Sequence, residues 1–425
     1  MNNLLEELLI FGNCENNSVL DDGAGIFKAY ENQDEKAAIQ AEVKLMRDML
    51  AMASCYGFAG NLWKSCIAHF IAFQENPFSL QAERRISEQE NVFVRSDCCI
   101  LRKLFHYDFT KNEKFRHVNN FSQLLQYKSD IIPTDEGQVI ENLKAELDKA
   151  ADDEAFYQTV NKFYQTCGTG TFGLNRAFVI KEKDGTADFE PVKGIEDITL
   201  DDLVGYEVQK KMLVENTEAF LRGKPANNAL LYGDGGTGKS TSIRAILNQY
   251  YGEGLRMIQV YRHQMQYLTD IISKIKNRNY RFIIYMDDLS FEDFETEYKY
   301  LKAVIEGGLE PRPENVLIYA TSNRRHFIKE TWNDRNDVEH TGEIFRSDSI
   351  EEKRSLADRF GVQIYYGKPS KEEYHHIIDI LAENKGVKIS KEKLHAEATK
   401  WEIRHGGVSG RSAKQFVDHI KGMEE

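Results

Sequence analysis

The sequence predicts an α/β fold: a five-stranded parallel sheet followed by a helical C-terminal segment and preceded by a mainly α-helical N-terminal domain. Three observations predict it. Short apolar runs at Ala229–Tyr232, Met257–Tyr261, Phe282–Met286, Val316–Ala320 and Val362–Tyr365 alternate with helical stretches, the pattern of a parallel sheet covered on both faces. The first run ends in a glycine-rich turn that leads straight into helical sequence. Both ends of the chain instead carry apolar residues at helical spacing with little punctuation. These changes of pattern divide the chain into 1–165, mainly helical; 166–197, a glycine-bearing linker; 198–367, the α/β domain; and 368–425, helical again.

In the N-terminal part, Ile39, Val43, Met46, Leu50 and Ala53 recur at alternating spacings of four and three, which reads as the face one helix turns to a core. Leu62–Phe73 is apolar on almost every side, as suits a helix buried among others. Ile140, Leu143 and Leu147, then Phe156, Val160 and Phe163, repeat the amphipathic pattern. The next segment, Gly168-Thr169-Gly170-Thr171-Phe172-Gly173, matches G-x-G-x-x-G. Its context is wrong for a dinucleotide site, because it follows helix and leads into the strand-like Ala177-Phe178-Val179-Ile180, where the fingerprint needs strand before and helix after.

At 425 residues the chain has room for two or three domains. Its 41% hydrophobic and 29% charged residues, with 7 prolines, are those of a globular protein. A net charge of −13 gives no support to indiscriminate binding of nucleic acid or anionic membranes. The apolar run around Cys66–Phe73 is interrupted by His69 and is far shorter than the roughly 20 residues that span a bilayer. Met1–Phe11 carries Glu6 and Glu7 with no basic residue ahead of its apolar stretch, so it does not read as a secretory signal, and a cytoplasmic protein is expected. The 6 cysteines show no C-x-x-C spacing and read as reduced, mostly buried thiols.

The glycine-rich turn, Gly233-Asp234-Gly235-Gly236-Thr237-Gly238-Lys239-Ser240, is a full G-x-x-x-x-G-K-[ST] match with a strand before it and a helix after it. Glycines let the backbone curl so that its N–H groups point at phosphate oxygens, and the positive end of the helix favours the same charge. These residues, with Thr241 next along, are the expected nucleotide-binding loop. Lys239 would reach the outer phosphates, and the Ser240 hydroxyl would be one ligand of Mg2+. A second acidic ligand is needed at the end of a neighbouring strand. Phe282-Ile283-Ile284-Tyr285-Met286-Asp287-Asp288 supplies it: Asp287 as magnesium carboxylate and Asp288 as the group that orients an attacking water.

From Leu203 onward the chain resembles the AAA+ ATPase module, in Asp201-Asp202-Leu203-Val204-Gly205 ahead of the loop, the paired acids, and the polar residues ending the next strand. More narrowly, it resembles a bacterial family of ATP-binding AAA+ proteins, the domain of unknown function 815. That likeness lies in Gly-x-Gly-x-Phe-Gly with Ala177-Phe178, Asp287-Asp288-Leu289-Ser290-Phe291-Glu292, Thr321-Ser322-Asn323-Arg324-Arg325-His326, and Ser355-Leu356-Ala357-Asp358-Arg359-Phe360-Gly361. The resemblance implies that 368–425 is a lid over the nucleotide and that Val204, Gly205 and Tyr206 line the adenine pocket. It implies that Asn323 is a first sensor near the terminal phosphate and Arg411 a second sensor reaching in from the lid. It further implies a homo-oligomer in which Arg359 completes a neighbouring subunit's site, with Arg354 and the Arg324, Arg325 pair competing for that role.

One departure bears on turnover. The module usually places glutamate where this chain has Asp288, one methylene shorter, so slow hydrolysis is expected unless Glu292 or an extra water contributes. A polar stretch with Trp332, Asp334, Arg335, Asp337, His340 and Glu343 follows Asn323 and has no assigned chemistry. The leading expectation is an ATPase using ATP and Mg2+ to do conformational work on a macromolecule. The alternative is a nucleotide-gated scaffold that hydrolyses ATP poorly. A small-molecule kinase on the same loop ranks third, because it would want a short arginine-bearing lid in place of the long helical segment. With no zinc knuckle, helix-turn-helix or aromatic-basic RNA motif, a protein partner is expected ahead of nucleic acid.

Overall fold

The computed structural model describes residues 5–12, 18–84, 92–111, 114–183, 185–289, 297–306, 313–323, 358–404 and 407–423. They divide into two compact units, Met1–Asn175 and Arg176–Glu425.

The first unit is built from helices α1 Ser18–Glu31, α2 Glu35–Tyr56, α3 Leu62–Phe73, α4 Pro77–Glu83, α5 Val92–Phe105, α6 Val118–Leu124, α7 Asp135–Asp148, α8 Asp153–Thr166 and α9 Gly170–Leu174. Short polar side chains start several of them. Asn61, Asn76, Thr134 and Asp152 each accept a backbone N–H of the first turn, satisfying a donor that the helix cannot. Helix α3 buries Leu62, Trp63, Cys66, Ile67, Phe70 and Ile71, as its all-round apolar sequence predicts. Ile140, Leu143 and Leu147 of α7 and Phe156, Val160 and Phe163 of α8 join the same core.

Helix α2 corrects the sequence reading. Ile39, Val43 and Leu50 are exposed, and the inward face is Ala38, Glu42, Leu45, Met49 and Ala53. Apolar periodicity counts Glu42 as a surface residue. Here it is fully buried because it has partners from elsewhere: the Tyr30 hydroxyl, the backbone N–H groups of Arg116 and His117, and the His117 ring at 2.7 Å. A buried carboxylate without such partners would cost several kcal/mol, about 3 or more.

The second unit is organised by a seven-stranded sheet in the order β2-β1-β4-β5-β6-β3-β7. Its strands are β1 Ala177–Lys183, β2 Thr186–Pro191, β3 Ala229–Gly233, β4 Leu255–Gln259, β5 Arg281–Met286, β6 Val316–Ser322 and β7 Val362–Tyr366. The expected count was five. The two further strands come from within 166–197: β1 pairs parallel to β4, and β2 returns antiparallel along it. The other neighbours are all parallel. The β2 sequence, Thr-Ala-Asp-Phe-Glu-Pro, buries only Ala187 fully, so it gives too weak an apolar run to read alone. Its open edge is covered, since the Ala187 N–H donates to Asp270 at 2.8 Å and its carbonyl accepts from Lys274. Covering an edge in this way removes a template for unwanted pairing.

Strand β5 is buried along nearly its whole length, which requires cover on both faces. Helices α10 Glu207–Leu221 and α11 Lys239–Tyr250 pack Leu213, Phe220, Ile243, Ile246 and Leu247 with Ile283 and Tyr285 of β5. Helices α12 Leu268–Ile275 and α13 Glu297–Glu306 also pack together. The chain ends in α14 Lys371–Asn384, α15 Lys391–Arg404 and α16 Gly410–Gly422, which enclose a core of their own around Tyr374, Ile378, Leu394, Phe416 and Val417. Because β3, β5 and β6 run parallel, the loop after Gly233, the acids after Met286 and the residues after Ser322 leave the sheet along one edge.

Candidate nucleotide site

Strand β3 delivers the chain to Gly233, where φ is +130° and a Cβ would lie 2.2 Å from the Tyr366 carbonyl oxygen. Only glycine fits there. Gly238, with φ +97°, caps α11, and a Cβ on it would meet Leu203 at 2.3 Å. Between them the turn closes on itself: the Thr237 hydroxyl donates to the Asp234 carbonyl at 2.8 Å. Lys239 is a buried residue, and its ammonium donates to the carbonyls of Asp234 at 2.6 Å and Gly233 at 3.2 Å. Burial lowers the Lys239 pKa, against the opposing charges of Asp234, Asp288 and Asp287. Thr241 continues the first turn of α11, whose unpaired N–H groups face the loop.

The acidic side of the site comes from β5 and β6. The Ser240 hydroxyl donates to Asp287 Oδ1 at 2.8 Å, joining the start of α11 to the end of β5. Partial burial raises the Asp287 pKa, but hydrogen bonds from Thr321 and Ser240 outweigh it and hold the carboxyl below its ordinary value. Burial pushes the neighbouring Tyr285 phenol far up, so it stays protonated. A hydroxyl and an ionised carboxylate converging at the mouth of a phosphate loop are hard oxygen donors that suit magnesium. Asp288 sits at the exposed rim with φ +52°, and Asn323 Nδ2 donates to its Oδ1 at 2.8 Å.

The C-terminal helices are tied to the loop. The Arg411 N–H donates to the Gly236 carbonyl at 3.1 Å, and the Arg411 charge acts on Lys239. The Lys368 N–H donates to the buried Asp234 carboxylate at 3.1 Å. The Tyr206 hydroxyl donates to the Gly367 carbonyl at 2.9 Å. Val204 packs on the core of the C-terminal helices, whereas Leu203 and Tyr206 pack on the sheet core. Residues 203–206 therefore lie against both layers, with Gly205 at φ +81° allowing the change of direction.

The structure thus brings together Val204–Tyr206, Gly233–Thr241, Asp287, Asp288, Asn323 and Arg411. It does not bring Arg359 to them. Arg359 precedes β7, whose first residue Val362 pairs with Ala229 and whose last, Tyr366, pairs with Gly233. It is therefore at the far edge of the sheet, at least about 13 Å from the loop at the rise of a parallel strand. Glu292, Arg324, Arg325, Arg354 and the polar stretch from Trp332 to Glu343 lie outside the described residues.

Sequence reasoning assigned no role to Thr321, Tyr285 or Leu203, each of which touches the site. All three stand inside segments named above, but nothing there marks the Thr321 hydroxyl as a partner of the acids. A separate groove of about 740 Å³, lined by Arg176, Ile198, Leu200, Lys210 and Asn248 among others, shares no residue with the loop.

Residues 174–424 match the family described as "Protein of unknown function (DUF815)". No curated protein matches the chain. Among solved structures, a mutant of Thermotoga maritima RuvB is 17% identical with a TM-score of 0.37, over 53% of this chain and 66% of that one. The FIGL-1 AAA domain in complex with ADP is 17% identical with a TM-score of 0.37, over 54% and 75%. C. elegans PCH-2 is 15% identical with a TM-score of 0.38, over 53% and 65%. The chain spans just under two thirds of the RuvB and PCH-2 chains.

Proposed function

The chain belongs to the family of proteins of unknown function DUF815, and from that membership and the geometry of the loop we propose that it is an AAA+ protein that binds ATP with magnesium and hydrolyses it, coupling turnover to conformational work on a macromolecular partner. The observation that carries the reading is the 2.8 Å contact between Ser240 Oγ and Asp287 Oδ1, set beside a buried lysine at the start of α11. In this reading Gly233–Gly238 cradle the phosphates through backbone N–H groups. Lys239 turns from the carbonyls of Gly233 and Asp234 to the outer phosphates, exchanging neutral acceptors for anionic ones. Ser240 and Asp287 hold magnesium, which would neutralise phosphate charge. Asp288 orients the attacking water, Asn323 positions both, and Arg411 supplies a cation from the C-terminal lid. Val204, Gly205 and Tyr206 receive the adenine.

Arg359, remote from its own loop, serves the site of a neighbouring copy, so the working form is a homo-oligomer with shared sites. The partner is a protein rather than nucleic acid, and the compartment is the cytoplasm. A second reading rests on Asn323: its amide already occupies Asp288 Oδ1, which suits a scaffold that binds ATP and hydrolyses it poorly until a partner frees the acid.

Calorimetric titration with ATP and magnesium tests the binding claim. Lys239→Ala should weaken binding by ~100-fold, the scale of losing a charged contact of about 3 kcal/mol. Unchanged affinity in that variant would remove the loop assignment.

A further inference from the structure

Thr321 ends β6 with its side chain 2% exposed. A hydroxyl has one hydrogen to donate and lone pairs to accept with, and Thr321 uses both kinds within the site. It donates to Asp287 Oδ1 at 2.6 Å and accepts the backbone N–H of Asp288 at 2.9 Å. The Thr321 carbonyl then accepts the N–H of Leu289 at 2.6 Å. A single residue therefore grips three consecutive positions: the carboxylate of the first, and the backbone of the second and third.

The middle position is the unusual one. Asp288 has φ +52°, in the left-handed region, which costs an ordinary L-residue roughly 1–2 kcal/mol. Aspartate and asparagine are enriched there, because a short polar side chain can bond locally. The Asp288 carboxylate is in addition held from the end of β6, where Asn323 donates to it. Glutamate has one more methylene and no such enrichment.

We propose that Thr321 is a positioning residue that sets the metal carboxylate Asp287 and the water-orienting carboxylate Asp288 relative to each other, and that the left-handed turn it pins is the reason position 288 takes aspartate rather than glutamate. The proposal deepens the function proposed above and rests on the roles given there to Asp287 and Asp288. On this account Asp288 is matched to its backbone and is not a weakened glutamate.

The test uses the full chain with Thr321→Val, Thr321→Ser and Asp288→Glu. A fluorescent ATP analogue is titrated in magnesium and in EDTA, turnover is measured, and hydrogen exchange of the Asp288 amide is followed without metal or nucleotide. Thr321→Val should keep its affinity in EDTA and lose about 10-fold or more of the affinity gained with magnesium, the scale on which partners of metal ligands act. Its kcat should fall more than its KM changes, and its Asp288 amide should exchange faster. Thr321→Ser should restore most of each. Asp288→Glu should turn over more slowly than wild type, and because Asp288 is at the exposed rim this arm stands even if the buried valine prevents folding.

Wild-type magnesium gain together with wild-type exchange in Thr321→Val would overturn the positioning role. Faster turnover in Asp288→Glu would overturn the account of the aspartate. If wild type itself gains nothing from magnesium, the metal role of Asp287 fails, and exchange at Asp288 alone then decides whether Thr321 pins the turn.

Discussion

Lys239 is the residue whose chemistry is most exposed to test. Its folded pKa is lowered by burial, so in the free protein it loses its proton at a lower pH than an ordinary lysine does. Phosphate binding needs the protonated form. ATP affinity should therefore be full below the lowered pKa, fall as pH rises through it, and do so before the ordinary lysine range is reached. Calorimetric titration across the alkaline range checks this, with Lys239→Arg, which stays charged, expected to flatten the profile. At this scale the turn at Gly233–Ser240 and the strand end before Asp287 were legible in the sequence, because both follow from neighbours in the chain. Thr321 was not legible, because its contacts depend on register: Met286 pairs with Ala320, and only that alignment sets Thr321 beside Asp287. The burial of Glu42 was not legible for the same kind of reason, its partners lying at Tyr30, Arg116 and His117.

Among the elements, the C-terminal segment is tied to the glycine-rich loop by hydrogen bonds from Lys368 and Arg411 and to Tyr206 by one at Gly367. Tyr206→Phe removes the bond to the Gly367 carbonyl, a loss of about 1 kcal/mol. Hydrogen exchange should rise in α14–α16 while β3 amides stay protected; equal loss of protection in both would mean that helices and sheet open as one unit. Gly238→Ala is expected to be harsher, since it adds a Cβ against Leu203 at a φ that costs roughly 1–2 kcal/mol. Thermal unfolding should show a lowered midpoint together with lost ATP binding. The buried strands were readable because they are continuous apolar runs bounded by turns. Strand β2 was not, because an edge strand with one buried residue resembles a loop until its partner β1 is known. Helix α2 carries two apolar stripes, and sequence alone does not say which one the core takes.

At the scale of the whole molecule, the sheet separates Arg359 from the loop of its own chain, and that separation is the ground on which a shared site is proposed. Arg359→Ala should bind ATP as wild type does while losing turnover by ~10³-fold or more, the range for an arginine supplied by a neighbour. Mixing Arg359→Ala with Asp288→Asn should restore part of the activity, since some interfaces then hold an intact loop and an intact arginine. The helical first unit and the α/β second unit were legible as separate fold classes, because helical periodicity gives way to strand-like runs. The most direct test of the central claim is phosphate release from ATP with magnesium, for wild type, Lys239→Ala and Asp288→Asn, over a wide range of protein concentration. The account predicts release that rises in specific activity with concentration, absent in Lys239→Ala and suppressed in Asp288→Asn without loss of ATP binding. Undiminished release from Asp288→Asn, or from Lys239→Ala, would contradict it.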